Sequence, residues 1–166
     1  SYLSIGSNLV NDVSFNPTLV RSIDDGLQAD EFVGDTVRPT LLNYTVDLSL
    51  GSIIFTFSEV VDSETLMLSD LTIQNTASSP SLTYLISDGL FDESFLSQIA
   101  TVNFTDTDLN GIKGIRNLVT SRDDTYLVFP SSFVSDTAGN DIVEVGPIGL
   151  QGEAFVFDLT PPELQS

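Results

Sequence analysis

The chain has 166 residues and a formal net charge of −19, from 5 Lys and Arg against 24 Asp and Glu, with no His, Cys or Trp. So few cations argue against nucleic acid or an anionic membrane surface as partner, because phosphate binding needs clustered Lys and Arg. No apolar run approaches the roughly 18 residues of a spanning helix. Without His or Cys the chain cannot build a Ser-His-Asp triad, a Cys nucleophile, a zinc site, haem or an iron–sulfur cluster, so carboxylate chemistry and hard-cation binding remain.

Eleven Phe among many Val, Ile and Leu supply a real core, so the acidity does not mean disorder, and a domain of this size stands without disulfides. Ser1 is followed by no charged-then-apolar leader, and any targeting segment is expected to be removed or to lie outside this sequence.

The first segment, residues 1–35, is read through an internal repeat. At an offset of 124, Tyr2, Leu3, Ser7, Val10, Asp12 and Asn16 meet Tyr126, Leu127, Ser131, Val134, Asp136 and Asn140. After a one-residue gap, Val20, Gly26, Leu27, Gln28, Phe32, Val33, Asp35, Pro39 and Leu41 meet Val143, Gly149, Leu150, Gln151, Phe155, Val156, Asp158, Pro162 and Leu164. These are 15 identities over about 40 positions, where unrelated segments share roughly two or three. The expected organisation is an N-terminal arm over 1–35, equivalent to the last strands of a neighbouring repeat, one complete unit over 36–158, and the start of the next over 159–166. Where the full unit has Thr137-Ala138-Gly139 the arm has Val13-Ser14-Phe15, so the turn there is expected to be rebuilt.

Asp35–Leu41 (DTVRPTL) and Asp158–Leu164 (DLTPPEL) read as extended, semi-rigid connectors, because Pro fixes φ and biases the preceding residue. Gly51–Glu59 alternates Ile53, Phe55 and Phe57 against Ile54, Thr56 and Ser58, the period of a strand. Ile99–Phe104 alternates Ala100, Val102 and Phe104 in the same way. Thr105–Asn117 differs: Leu109, Ile112 and Ile115 have helical spacing, Thr105 or Thr107 can cap, and Asp106 and Asp108 suit the first turn. Its glycines, Gly111 and Gly114, weaken it as a helix. Thr125–Pro130 and Gly152–Asp158 alternate again, with Leu127 and Phe129, then Phe155 and Phe157, on single faces. Ser79-Pro80, Asp88-Gly89, Ala138-Gly139-Asn140 and Gly146-Pro147 punctuate as turns. Short strands and turns in a unit near 120 residues predict an all-β sandwich with one short crossover helix near 106–117.

TVRPTLLNYTVD with GSIIFTFSEVVD, and YLVFPSSFVSDTAGNDIV closing on FVFDLTPP, resemble the bacterial-type Ig-like repeats of S-layer proteins, large adhesins and giant extracellular proteins. The matching positions are Asp35–Pro39, Thr56–Glu59, Asp136–Asn140 and Phe155–Asp158, and the similarity spans about 36–166. The resemblance implies an Ig-like, extracellular or cell-surface structural module without catalysis.

Asn43-Tyr44-Thr45 and Asn103-Phe104-Thr105 are N-glycosylation sequons whose Asn should face outward, next to apolar residues that face in. Asp106–Gly111 matches the first half of an EF-hand loop, but the twelfth position is Asn117 rather than Glu, and a helix start explains the stretch equally. Asp35, Glu59, Asp136 and Asp158 could gather at a junction and bind Ca²⁺, against the plainer expectation of a solvated acidic surface. Acidic pairs such as Asp24-Asp25, Asp92-Glu93 and Asp123-Asp124 single out no glycosidase acid and base. The expectation is a structural repeat of a filament or stalk whose partners are copies of itself or adjacent repeats. Tyr2, Leu3, Val10, Phe32 and Val33 would be the buried anchors of the arm, either as the end of a covalent neighbour or as strands donated to another subunit. A cell-surface adhesin gripping glycan or protein through its loops is the alternative.

Overall fold

A computed structural model describes residues 2–90 and 96–159 and divides the chain into two units, residues 1–35 and 36–166. Asp92-Glu93 and most of the segment 159–166 lie outside the described residues. Among the described residues no helix is long and apolar enough to cross a membrane.

The first unit is a long irregular hairpin. Tyr2–Leu3 (β1) pairs antiparallel with Leu27–Gln28 (β2). Single bridges continue the ladder toward its tip, Ile5 opposite Arg21 and Asn11 opposite Pro17. Its apolar side chains are exposed, except for half-buried Ile5.

The second unit is an all-β sandwich. Its strands are Leu41–Asp47 (β3), Ser52–Asp62 (β4), Thr72–Gln74 (β5), Thr83–Leu85 (β6), Gly89–Leu90 (β7), Leu96–Phe104 (β8), Tyr126–Phe129 (β9), Ser135–Asp136 (β10), Val145–Gln151 (β11) and Ala154–Val156 (β12). One sheet runs β12-β3-β4-β8-β7, with β10 also on β4; the other runs β11-β9-β5-β6. The alternation anticipated from sequence sets the inward face: Ile53, Phe55, Phe57 and Val61 of β4, and Ala100, Val102 and Phe104 of β8, are buried. From the second sheet Ile73, Leu127 and Phe129 join the same core. Phe133, on a 3-10 turn over Ser131–Phe133, fills the gap between sheets, its ring 4.5 Å from Phe129 and 5.6 Å from Phe55. Fully buried Phe side chains of this kind carry much of a small domain's hydrophobic stabilisation.

Bulges let the alternation miss a beat without exposing the core. The β3–β4 register shifts between Leu41 and Asn43, so Leu41 and Tyr44 both face inward. Gly146-Pro147 marks no reversal of the chain. It lies inside β11, where the pairing with β9 shifts register between Val145 and Leu150. Proline is tolerated there because β11 is an edge strand.

The chain changes sheets after β11. Tyr44 from the first sheet reaches across and donates its phenol to the carbonyls of Thr125 (2.9 Å) and Leu150 (3.1 Å). Gly152 lets the crossing backbone pass the ring, since a Cβ there would lie 3.2 Å from Tyr44 Cε2. The chain then runs as β12, parallel to β3. Burial pushes the Tyr44 phenol far above the usual tyrosine range, with only partial relief from a backbone hydrogen bond at Gly152.

The helix is Asp106–Lys113 (α1), shorter than the predicted 106–117. Thr105 caps it by accepting from the Asp108 amide, and Gly114 closes it. Gly111 is there for packing: a Cβ would lie 2.3 Å from the Tyr84 hydroxyl, which rests on this face.

Candidate functional site

The tip of the hairpin is built by one carboxylate. Asp12 Oδ1 accepts from the amides of Ser14 (2.8 Å) and Asn16 (2.9 Å), and Oδ2 accepts from Asn16 Nδ2 (2.9 Å). In the sandwich, Asp136 Oδ1 accepts from the amides of Ala138 and Asn140, both at 2.8 Å, and Oδ2 accepts from Asn140 Nδ2 (2.8 Å). The backbone bonds match too: Asp12 N to Asn16 O and Asp136 N to Asn140 O are both 3.0 Å. The turn is therefore not rebuilt, contrary to the expectation from Val13-Ser14-Phe15. Asp and Asn side chains dictate it, and Phe15 takes φ 66° where Gly139 takes φ 87°.

The correspondence extends along the ladder. Tyr2 opposite Gln28 and Leu3 opposite Leu27 match Tyr126 opposite Gln151 and Leu127 opposite Leu150. Ile5 opposite Arg21 matches Phe129 opposite Val145, and Asn11 opposite Pro17 matches Ser135 opposite Asp141. Thr18 N donates to Val10 O as Ile142 N does to Val134 O, both at 2.9 Å. These pairings move the one-residue gap to between Arg21 and Leu27, after Val20 rather than before it. Val20 then aligns with Glu144, and its identity with Val143 is not structural. The extra residue is absorbed where β11 already bulges, in a segment that forms a 3-10 turn over Ile23–Asp25.

The surroundings of the two ladders differ. Leu3, Leu9 and Val10 are 57%, 65% and 63% exposed, whereas their equivalents Leu127, Phe133 and Val134 are 0% exposed. Tyr2, Phe32 and Val33, the other proposed anchors, are exposed as well. In the sandwich β9 is covered at its other edge by β5, and β12 by β3.

Hydrogen bonds from Asn16, side chain first and then backbone, hold Asp12 below the usual carboxylate range. Burial pushes Asp136 up, but the bonds from Asn140, Ala138 and Gly139 outweigh it and leave it low. Within the sandwich, Glu59 and Asp136 each offer one carboxylate oxygen within 4.8 Å of the other, and Glu59 Oε1 is buried from solvent. Asp35 ends the first unit. Ca²⁺ takes six to eight oxygens, so Glu59 and Asp136 by themselves make an incomplete shell. Asp158 is not one of the group; its Oδ2 sits 2.9 Å from Lys113 Nζ.

Asn43 and Asn103 are half-buried on β3 and β8, beside buried Tyr44 and Phe104. In the EF-hand-like stretch, Asp108 is fully buried and accepts from Tyr84 Oη, Ser87 N and Oγ, Asp88 N and Thr105 Oγ1. The sequence places Asp108 in a first helical turn or in the EF-hand-like loop. Its role of fastening residues 84–88 to α1 has no local sequence signal, because the donors are some 20 residues away. Burial pushes Asp108 up, and bonds from Ser87, Thr105 and Tyr84 more than reverse this. A shallow cleft of about 350 Å³ between Leu48, Ile115, Leu118, Phe155 and Phe157 is mostly apolar, with Lys113 and Arg116 at its margin.

No family model and no curated protein matches the chain. Two solved structures are similar to it: the S-layer protein rSbsC(31-844), at 18% identity and TM-score 0.42, and surface layer protein SbsC, domains 1-6, at 18% identity and TM-score 0.43. They align with 76% and 77% of this chain, which spans only 14% and 15% of theirs.

Proposed function

We propose that the chain is a structural repeat unit of an extracellular filament or stalk, joined to neighbouring units by strand complementation or by covalent tandem linkage. The observation that carries this reading is the hairpin of residues 2–28, whose pairing duplicates 126–151 while its apolar side chains lie open. A ladder with an open apolar face and unpaired edge groups is material for joining, not for catalysis. Lack of His and Cys supports a mechanical role. The charge of −19 keeps finished fibres apart.

Electron microscopy of the natural material tests the reading. Fibres with an axial repeat of one sandwich are expected, and free monomers at every concentration would overturn it. N-glycans at Asn43 and Asn103 and Ca²⁺ at Glu59 and Asp136 belong to the same proposal. An N-glycosidase should reduce the mass of the natural protein, by less in Asn43→Gln and Asn103→Gln. EGTA should lower the Tm, and an unchanged Tm removes the metal.

A further inference from the structure

We infer that residues 2–33 are the closing segment of a sandwich of the same kind, and that their apolar face is covered by a segment equivalent to residues 36–124, in cis. This deepens the proposed repeat role and rests on it. The argument is one of register. β9 pairs with β5 through Tyr126–Gln74, Leu127–Ile73 and Val128–Thr72. At the same offset Tyr2, Leu3 and Ser4 would meet the counterparts of Gln74, Ile73 and Thr72. β12 lies parallel to β3, with Phe155 opposite Val46 and Val156 opposite Asp47. Phe32 and Val33 would therefore meet the counterparts of Val46 and Asp47. The missing cover is thus specified as a β5-like edge of the sequence type Thr-Ile-Gln and a β3-like edge of the type Thr-Val-Asp.

A second copy of the sandwich cannot supply that cover in its native state. Its β5 is already flanked by β6 and β9, and its β3 by β12 and β4. A donated arm would have to displace 125–158 of the acceptor, including Leu127, Phe129 and Phe133 of its core. Of the two routes, covalent linkage needs no such exchange.

The test extends the full chain at its N-terminus with a copy of its own residues 36–124. Hydrogen exchange at Tyr2–Ser4 and Phe32–Val33 should slow roughly a hundredfold or more, as for strands locked into a core. Ser4→Cys combined with Thr72→Cys in the added copy should form a disulfide, in a chain that otherwise has no Cys. Unchanged exchange, with residues 36–159 of the original unit still protected, overturns the inference. A second measurement does not depend on the added copy folding. Single-cysteine chains carrying Ser4→Cys and Thr72→Cys, mixed without extension in a glutathione redox buffer, should form the mixed disulfide no faster than the Thr72→Cys chain does with an exposed control cysteine, Ser14→Cys. A faster mixed disulfide would overturn the cis route. If the extended chain closes but the natural material is not fibrous, the filament reading fails and this inference stands. If the fibres exist but the slot stays open, the reverse holds.

Discussion

Residues 2–28 and 126–151 have the same cross-strand pairing, the same Asp–Asn turn and a left-handed residue at the same place in it. Only the second ladder buries its apolar row. The difference separates two things that a finished domain blurs. A ladder's register is specified locally, by a carboxylate that collects two amides and an Asn side chain. Its burial is conferred from elsewhere, by strands far away in the chain. Side chains at equivalent positions should therefore have very unequal energetic value.

The largest effect to expect tests that inequality directly. Phe133→Ala opens a cavity between Phe55 and Phe129 and should cost about 3–5 kcal/mol. Leu9→Ala, at the equivalent exposed place, should change stability by no more than about 0.5 kcal/mol. Urea unfolding followed by Tyr fluorescence measures both. A cost above about 1.5 kcal/mol for Leu9→Ala would mean that its face is already covered.

Next in size is the buried carboxylate of the sandwich, which the hairpin does not share. Asp108→Asn places an amide nitrogen against donors and should cost about 1–3 kcal/mol. The pH dependence follows from the directions of the shifts. Asp108 and Asp136 have folded values below the ordinary value of 3.8. Their stabilisation is thus complete above that value and is lost as pH falls through the folded values. The urea midpoint should be flat from neutral pH down to about 5 and decline below about 4. Asp108→Asn should flatten part of that decline. A decline unchanged in the variant would assign it to other carboxylates.

How far the sequence foretold this structure depends on range. The inward rows of β4, β8 and β9 were readable because a period of two needs only neighbours. The helix was readable from Thr105 and the spacing of Leu109 and Ile112, but its end was not. Gly111 reads as a helix weakener until Tyr84 is known to lie on it. The sequence showed Gly146-Pro147 as a turn, because a bulge in an edge strand uses the same residues as a reversal. Tyr44 reaching across the sandwich, and the donors to Asp108 from Tyr84, Ser87 and Asp88, depend on sequence separations that no local pattern carries. Among the candidate site residues, the matched pair Asp12 and Asp136 was readable as a repeat. Asp158 was misplaced as a companion of Asp136, because its pairing with Lys113 bridges 45 positions.

The smallest effect bears on the turn itself. Phe15 is a bulky residue at φ 66°, and Gly139 holds the equivalent place at φ 87°. A left-handed conformation costs a non-glycine residue roughly 1–2 kcal/mol, so Phe15→Gly should tighten the hairpin tip and Gly139→Phe should loosen its counterpart. The two changes should not be read out alike. Gly139 lies in a cooperative sandwich, and its replacement should lower the global urea midpoint. Phe15 lies in a ladder without a core, so Phe15→Gly should slow exchange at Phe15 and Asn16, whose amides close the turn, and leave the global midpoint unchanged. If Phe15→Gly instead moved the global midpoint, the hairpin would be folding as one cooperative body with a core. The contrast between a register that is local and a burial that is not would then collapse.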